Sequence, residues 1–250
     1  MGELPVALAN DTILECVIEI RFSNPHPSVE DLLPGLVFGR LGKLFVTVEA
    51  MPAGQMPRAV REVNEQLRYL PTRMLKGPNL QMLFGPRAAS VSVLKPYPGW
   101  DKVKPVVMEC LTAVLGTGLT GSPERVGIKY VNLLQQGLNE HDLSQTNLKF
   151  ELAEFTITGT GTAVRAEIAR NGCTSIVEIV SGAKVRGPDQ AEFVGVLLNI
   201  DTVKPTSEAE LPGNLSQVLE TVHITEKEIF FGLIAPATLT RLGPTYGTKH

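Results

Sequence analysis

Residues Thr12 to Phe22, TILECVIEIRF, alternate without a break: Leu14, Cys16, Ile18, Ile20 and Phe22 fall on one parity, and Glu15, Glu19 and Arg21 on the other. A side-chain period of two is that of an extended strand, with one dry face and one wet face. One-sided strands of this kind belong to antiparallel sheets, because all-parallel sheets are covered on both sides. The rest of the chain must therefore supply partner strands and a cover for the dry face.

It offers both. SVEDLL places Ser28 and Asp31 at capping-box spacing and predicts a short helix that Pro34 disturbs. KLFVTVEAMP reads as a strand, and PRAVREVNEQLRYL as a helix with Val60, Val63 and Leu67 on its inner side. TRML, LQMLFG and ASVSVLKP, separated by KGPN and GPRA, read as a strand meander. YPGWDKVKPVVMECLTAVLG then repeats apolar residues at 103, 106, 107, 110, 111, 114 and 115, one face of an amphipathic helix with Pro105 expected in its first turn.

The second half reads as strands: RVGIKYVNLL, LKFELAEFTITGT, TAVRAEIAR, TSIVEIVSGAKV and EFVGVLLNIDTV, with short glycine turns such as RNGC that favour hairpins. A last helix, with Asn214 and Gln217 at cap spacing, carries Leu215, Val218, Leu219, Val222, Ile229, Phe230 and Leu233 as its apolar stripe. The fold expected is α+β with largely antiparallel sheets: two strand meanders, each packed on a long amphipathic helix, as a pseudo-repeat. The halves are an N-terminal α+β half, 1–120, and a C-terminal antiparallel sheet plus helix, 121–250, with one continuous domain as the alternative.

GTGLTGS has the G-x-G-x-x-G spelling of a dinucleotide turn at Gly116, Gly118 and Gly121. That turn needs strand, glycines, helix, so that the pyrophosphate meets the positive helix end. Here a helix precedes the glycines and a strand follows. Gly116 and Gly118 are read as C-capping residues, and no cofactor is expected.

At 250 residues, 43% hydrophobic and 20% charged, the chain can form one large domain or two small ones. No apolar run reaches membrane-spanning length, the N-terminus lacks a basic n-region, and Val6 spoils a myristoylation pattern. A cytoplasmic protein without membrane association is expected. Cys16, Cys110 and Cys173 are odd in number and far apart, which predicts buried free thiols. His26, His141, His223 and His250 show no ligand spacing, so no metal site is expected.

NDTILECVIEIRF, YPGW (Tyr97 to Trp100), RVGIKYVN (Arg125 to Asn132), LLNIDTV and LETVHITEKEIFFGLI stand in an order that resembles a sporadically distributed bacterial protein family of unknown function. Asp11-Thr12 stand where that family has Ala-Pro, and Lys129 where it has Arg. The resemblance implies a bacterial cytosolic protein in a defence or mobile-element setting, and it carries no chemistry with it.

Glu15, Glu19 and Arg21 share a wet face, and Lys129 has the polar parity of its own strand, so neighbouring strands would line a groove with mixed charges. Asn132 interrupts the apolar parity of Val126, Ile128 and Tyr130 and must find hydrogen-bond partners. Asp201 ends LLNID with Asn199 on its face, and His223 lies at the edge of the last stripe. No hydrolase, P-loop, kinase or deaminase motif is present, and no catalytic residue is assigned. A nuclease pairing of Asp189, or of Asp201 with Lys204, fails because acid and lysine three apart on a strand face opposite ways.

Between Arg58 and Lys104, the cations Arg58, Arg61, Arg68, Arg73, Lys76, Arg87, Lys95, Lys102 and Lys104 face three acids, a local balance of +6 on a chain of net charge -3. The favoured reading is a non-enzymatic binding protein with a protein partner or self-association, as a homodimer through exposed strand edges. Nucleic-acid binding through 58–104 is the first alternative. A small-molecule or catalytic pocket between sheet and helix, lined by Glu15, Lys129 and Asp201, is the second.

Overall fold

The computed structural model describes residues 3–23, 25–135, 143–149, 151–157, 161–186 and 192–247; His141, Asp189 and His250 lie outside them. In chain order the elements are β1 (Ala7–Leu8), β2 (Ile13–Ser23), α1 (Val29–Leu41), β3 (Thr47–Ala50), α2 (Arg58–Val63), β4 (Arg73–Lys76), β5 (Leu80–Phe84), β6 (Ala88–Leu94), α3 (Trp100–Leu115) and β7 (Ser122–Leu134). There follow β8 (Glu151–Leu152), β9 (Phe155–Thr156), β10 (Ala163–Arg170), β11 (Cys173–Arg186), β12 (Glu192–Pro205), α4 (Leu211–Leu233), α5 (Pro236–Leu242) and β13 (Pro244–Thr245). The fold is α+β, its sheets mostly antiparallel and none closed. Two compact units interleave along the chain: the first is Met1–Leu14, Lys129–Thr202 and His223–His250, the second Glu15–Ile128 and Val203–Val222.

In the second unit the strands run in the order β2-β6-β5-β4-β3, with antiparallel pairing. Cys16, Ile18, Ile20 and Phe22 are fully buried, as the alternation demands, and face Val93, Val91 and Ala89 in register on β6. Met82, Phe84 and Leu75 continue this dry face across β5 and β4. Helices α1 and α3 pack on the unit's strands and on each other. Each fully buried Leu, Ile or Phe contributes about 1.5–3 kcal/mol.

Two helices differ from the sequence reading. Helix α1, expected to be short and disturbed by Pro34, runs 13 residues through it. Val29, Leu33, Val37 and Leu41, spaced by four, are all buried and outweigh the backbone hydrogen bond that proline removes. Helix α2 spans only Arg58–Val63 and is turned over: Val60 and Val63 are 49% and 85% exposed, while Arg61 is buried. Asn64 ends it, because its Oδ1 accepts from the Gln66 N–H at 2.9 Å and competes with the helical backbone. Helix α3 starts at Trp100, which places Pro105 in the second turn instead of the first. The glycines lie where expected: the Gly116 N–H bonds the Thr112 carbonyl, and Gly118 and Gly121 take positive φ before β7.

In the first unit Asn171 and Gly172, with φ of 52° and 70°, join β10 to β11 by the two-residue turn that RNGC signals. Val177 and Ile179 of β11, Val196, Leu198 and Ile200 of β12, and Ile229 and Phe230 of α4 form one buried cluster. Helix α4 begins at Leu211, whose N–H bonds the Ser207 carbonyl at 3.0 Å, so Asn214 lies inside the helix and caps nothing. Pro212 suits that first turn and moves the start forward. LKFELAEFTITGT forms only the two-residue strands β8 and β9 within its described part, because Ala153, at φ 53°, turns the chain, and Phe155 is 64% exposed. The three cysteines are buried and none is in a disulfide, and burial pushes the Cys110 thiol up to about 12.

Candidate functional site

The wet face of β2 in the second unit carries an arginine cluster. Glu19 Oε1 accepts from Arg21 Nε at 2.7 Å and from Arg125 Nη2 at 3.1 Å. The Arg21 guanidinium stands 4.0 Å from the centroid of the Tyr69 ring, and that of Arg68 stands 5.2 Å from the same centroid. Arg68 also donates from Nη2 to Glu65 Oε1 at 3.1 Å. The Nε atoms of Arg68 and Arg125 are shut off from solvent and meet no acceptor among the described residues. An unmet buried donor costs about 1–3 kcal/mol, and more when charged.

Local backbone chemistry presents Tyr69 and Arg68. The N–H groups of Leu67 and Arg68 both bond the Asn64 carbonyl and wind the chain into a turn directly after α2. The turn then lies against Gly85, where a Cβ would come 2.7 Å from the Leu70 carbonyl oxygen and 3.1 Å from that of Tyr69. Glycine permits this approach because it has no side chain. Gly85→Ala is accordingly expected to cost about 1–3 kcal/mol in a urea melt. Gly39→Ala, at an open helical position with nothing within 4 Å, is expected to stabilise by about 0.5–1 kcal/mol. Equal melts for the two variants would contradict the close approach.

The other sequence candidates fall in both units. Glu15 accepts a hydrogen bond from the buried Ser92 hydroxyl in the second unit, whereas Lys129, Asn132, Asp201 and His223 belong to the first. Asn132 is a satisfied structural amide: Oδ1 accepts from Thr12 Oγ1 at 2.9 Å, and Nδ2 donates to the Leu198 carbonyl at 3.4 Å. Asp201 and Lys129 are half-buried on β12 and β7. His223 Nδ1 lies 3.2 Å from the Tyr130 hydroxyl, with the rings tilted by 52°.

One turn beyond His223 is a residue the sequence reading missed. Glu226 is 4% exposed, and burial pushes its carboxyl up to about 8, only partly opposed by Lys227. Its position was legible, since Leu219, Val222, Glu226, Ile229 and Phe230 keep helical spacing on the buried stripe.

The basic segment does not stand as an uncompensated patch. Arg58 pairs with Glu62 at 2.6 Å, Arg61 with Glu30 at 2.8 and 3.0 Å, and Arg68 with Glu65. Lys76 pairs with Glu49 at 3.8 Å and Lys104 with Glu220 at 2.7 Å. Glu30, Glu49 and Glu220 lie outside the segment in sequence, so folding brings in acids for three of the six surplus charges. Arg73 donates to the Thr72 carbonyl, Arg87 is half-buried, and Lys95 and Lys102 are exposed.

The glycine loop frames an open cavity of about 530 Å³ in the second unit, lined by Met108, Leu115, Leu211 and Leu215, with Glu208 accepting from Ser122 Oγ at 3.0 Å at its polar side. Among the described residues no group of three or more His, Cys, Asp or Glu is placed to hold a metal ion, and no helix is long and apolar enough to cross a membrane. No known protein family matches the chain, and no curated protein is similar to it.

Proposed function

We propose that this is a non-enzymatic binding protein whose partner is another polypeptide, received at strand β3. The observation that carries the reading is the outer edge of the second unit's sheet, where among the described residues β3 pairs with β4 alone, and Val46 beside it and Val48 within it are 75% and 49% exposed. A bare strand edge is a template for a further strand, and exposed apolar side chains beside it add specificity. Leu32, Leu36, Val60 and Val63, near β3 in sequence, are exposed as well, so apolar surface gathers in this part of the chain. The ion pairs within 58–104 favour a protein partner over nucleic acid, because paired cations release few counterions from a phosphate backbone. The same reading takes the protein as cytoplasmic and bacterial, the setting that the motif resemblance implies.

The test is native mass spectrometry of the protein purified from its own host, beside a Val46→Lys/Val48→Lys variant that charges the edge. A bound polypeptide, whether a second copy or another chain, is expected on the unaltered protein and absent from the variant. A bare monomer at micromolar concentration, or a complex that survives both lysines, would sink the reading.

A further inference from the structure

We propose that Arg21 and Arg68, which share the Tyr69 ring, and Arg125, which shares Glu19 with Arg21, form a binding site for a small phosphate monoester. The site stands on residues other than the β3 edge and does not depend on the polypeptide-binding reading.

Three features point to an anion. The guanidiniums of Arg21 and Arg68 are both held at one aromatic ring, which fixes their planes without using their donors. Among the described residues Arg21 commits Nε alone, to Glu19, and its side chain keeps 26% of its surface exposed, so its terminal nitrogens can meet a ligand. Arg68 and Arg125 are each anchored through Nη2, and their side chains keep 31% and 27% of their surface exposed, with Nη1 of each uncommitted among the described residues. A guanidinium held at one nitrogen can present its remaining terminal donor to an anion.

Charge selects the kind of anion. Three guanidiniums face Glu19, which Arg21 and Arg125 share, and Glu65, whose side chain is 87% exposed and strongly screened by water. What remains is roughly one to two positive charges, matched by a monoester dianion of about -1.5 to -2 and exceeding what a carboxylate or a diester brings.

The experiment is isothermal titration of the full chain with phenyl phosphate near pH 7.5 in low salt, with dimethyl phosphate and acetate as comparisons. Saturable one-to-one binding of phenyl phosphate is expected, about tenfold or more tighter than either comparison. Arg68→Lys keeps the charge and removes the planar fork, and is expected to weaken phenyl phosphate by about tenfold. Arg125→Gln is expected to weaken it at least as much. Arg68 lies in a surface turn, so its variant should keep the fold; an unchanged near-ultraviolet circular dichroism spectrum checks this. No saturable heat with the unaltered protein, undiminished binding in Arg68→Lys, or dimethyl phosphate binding as tightly as the monoester would each overturn the proposal.

Discussion

Glu226→Gln is expected to stabilise the protein above neutral pH by about 3–5 kcal/mol and to change little at pH 4.5 and below. The carboxyl lies on the buried stripe of α4, and burial raises its pKa from the ordinary 4.5 to about 8. Between those two values the folded state holds a proton that the unfolded chain has released. Folding then binds protons, and the stability of the unaltered protein falls as pH rises through the window. The amide has nearly the same shape and never ionises, so its contribution stays flat. Urea melts of both proteins at pH 5, 7 and 8.5 should show a difference that grows with pH. Parallel curves would mean that Glu226 is hydrated or paired when folded.

Breaking the buried pair between α1 and α2 is the second large effect. Arg61→Ala is expected to cost about 3–5 kcal/mol at neutral pH, because it strands the Glu30 carboxylate away from water. Arg61 forks onto both oxygens of Glu30, and the two side chains are 5% and 11% exposed. The Arg61 hydrogen bond, opposed by desolvation, holds the Glu30 carboxyl below its ordinary range. A lowered carboxyl contributes stability that is present above pH 4.5 and lost as pH falls through the folded pKa. The variant's deficit should therefore be largest at neutral pH and narrow in acid, where Glu30 protonates. Arg61→Met with Glu30→Met should recover most of the loss, since apolar replacements fill the site without leaving a charge. If the double variant were no more stable than Arg61→Ala, the pair would be holding the fold by geometry and not by mutual charge compensation.

The two effects differ in how they could be found. Glu226 interrupts an apolar period within one helix, so its burial follows from spacing alone. Nothing near Arg61 names Glu30, because the pairing depends on how α2 closes on α1. The same holds for the arginine cluster. Glu19 and Arg21 are readable as neighbours on the wet face of β2, but Arg125 lies 106 residues from Glu19, and nothing local to its strand names that partner. Arg68 and Tyr69 were visible only as one cation and one aromatic of a basic stretch. Counting charge along the chain gives a surplus of +6 over 58–104, and the fold supplies Glu30, Glu49 and Glu220 as partners for three of its cations.

The sequence by itself determined the period of β2, the positions of β7, α3, β11 and β12, the Asn171-Gly172 hairpin and the glycines after α3. These rest on forces acting within a few residues: alternation, helical spacing and the backbone freedom of glycine. Only the tertiary structure decided that α1 would run through Pro34, that α2 would bury an arginine in place of its valines, and that two arginines would meet one tyrosine while a third shares Glu19. In each case the local preference is worth about 1–3 kcal/mol, and burial against distant elements is large enough to override it.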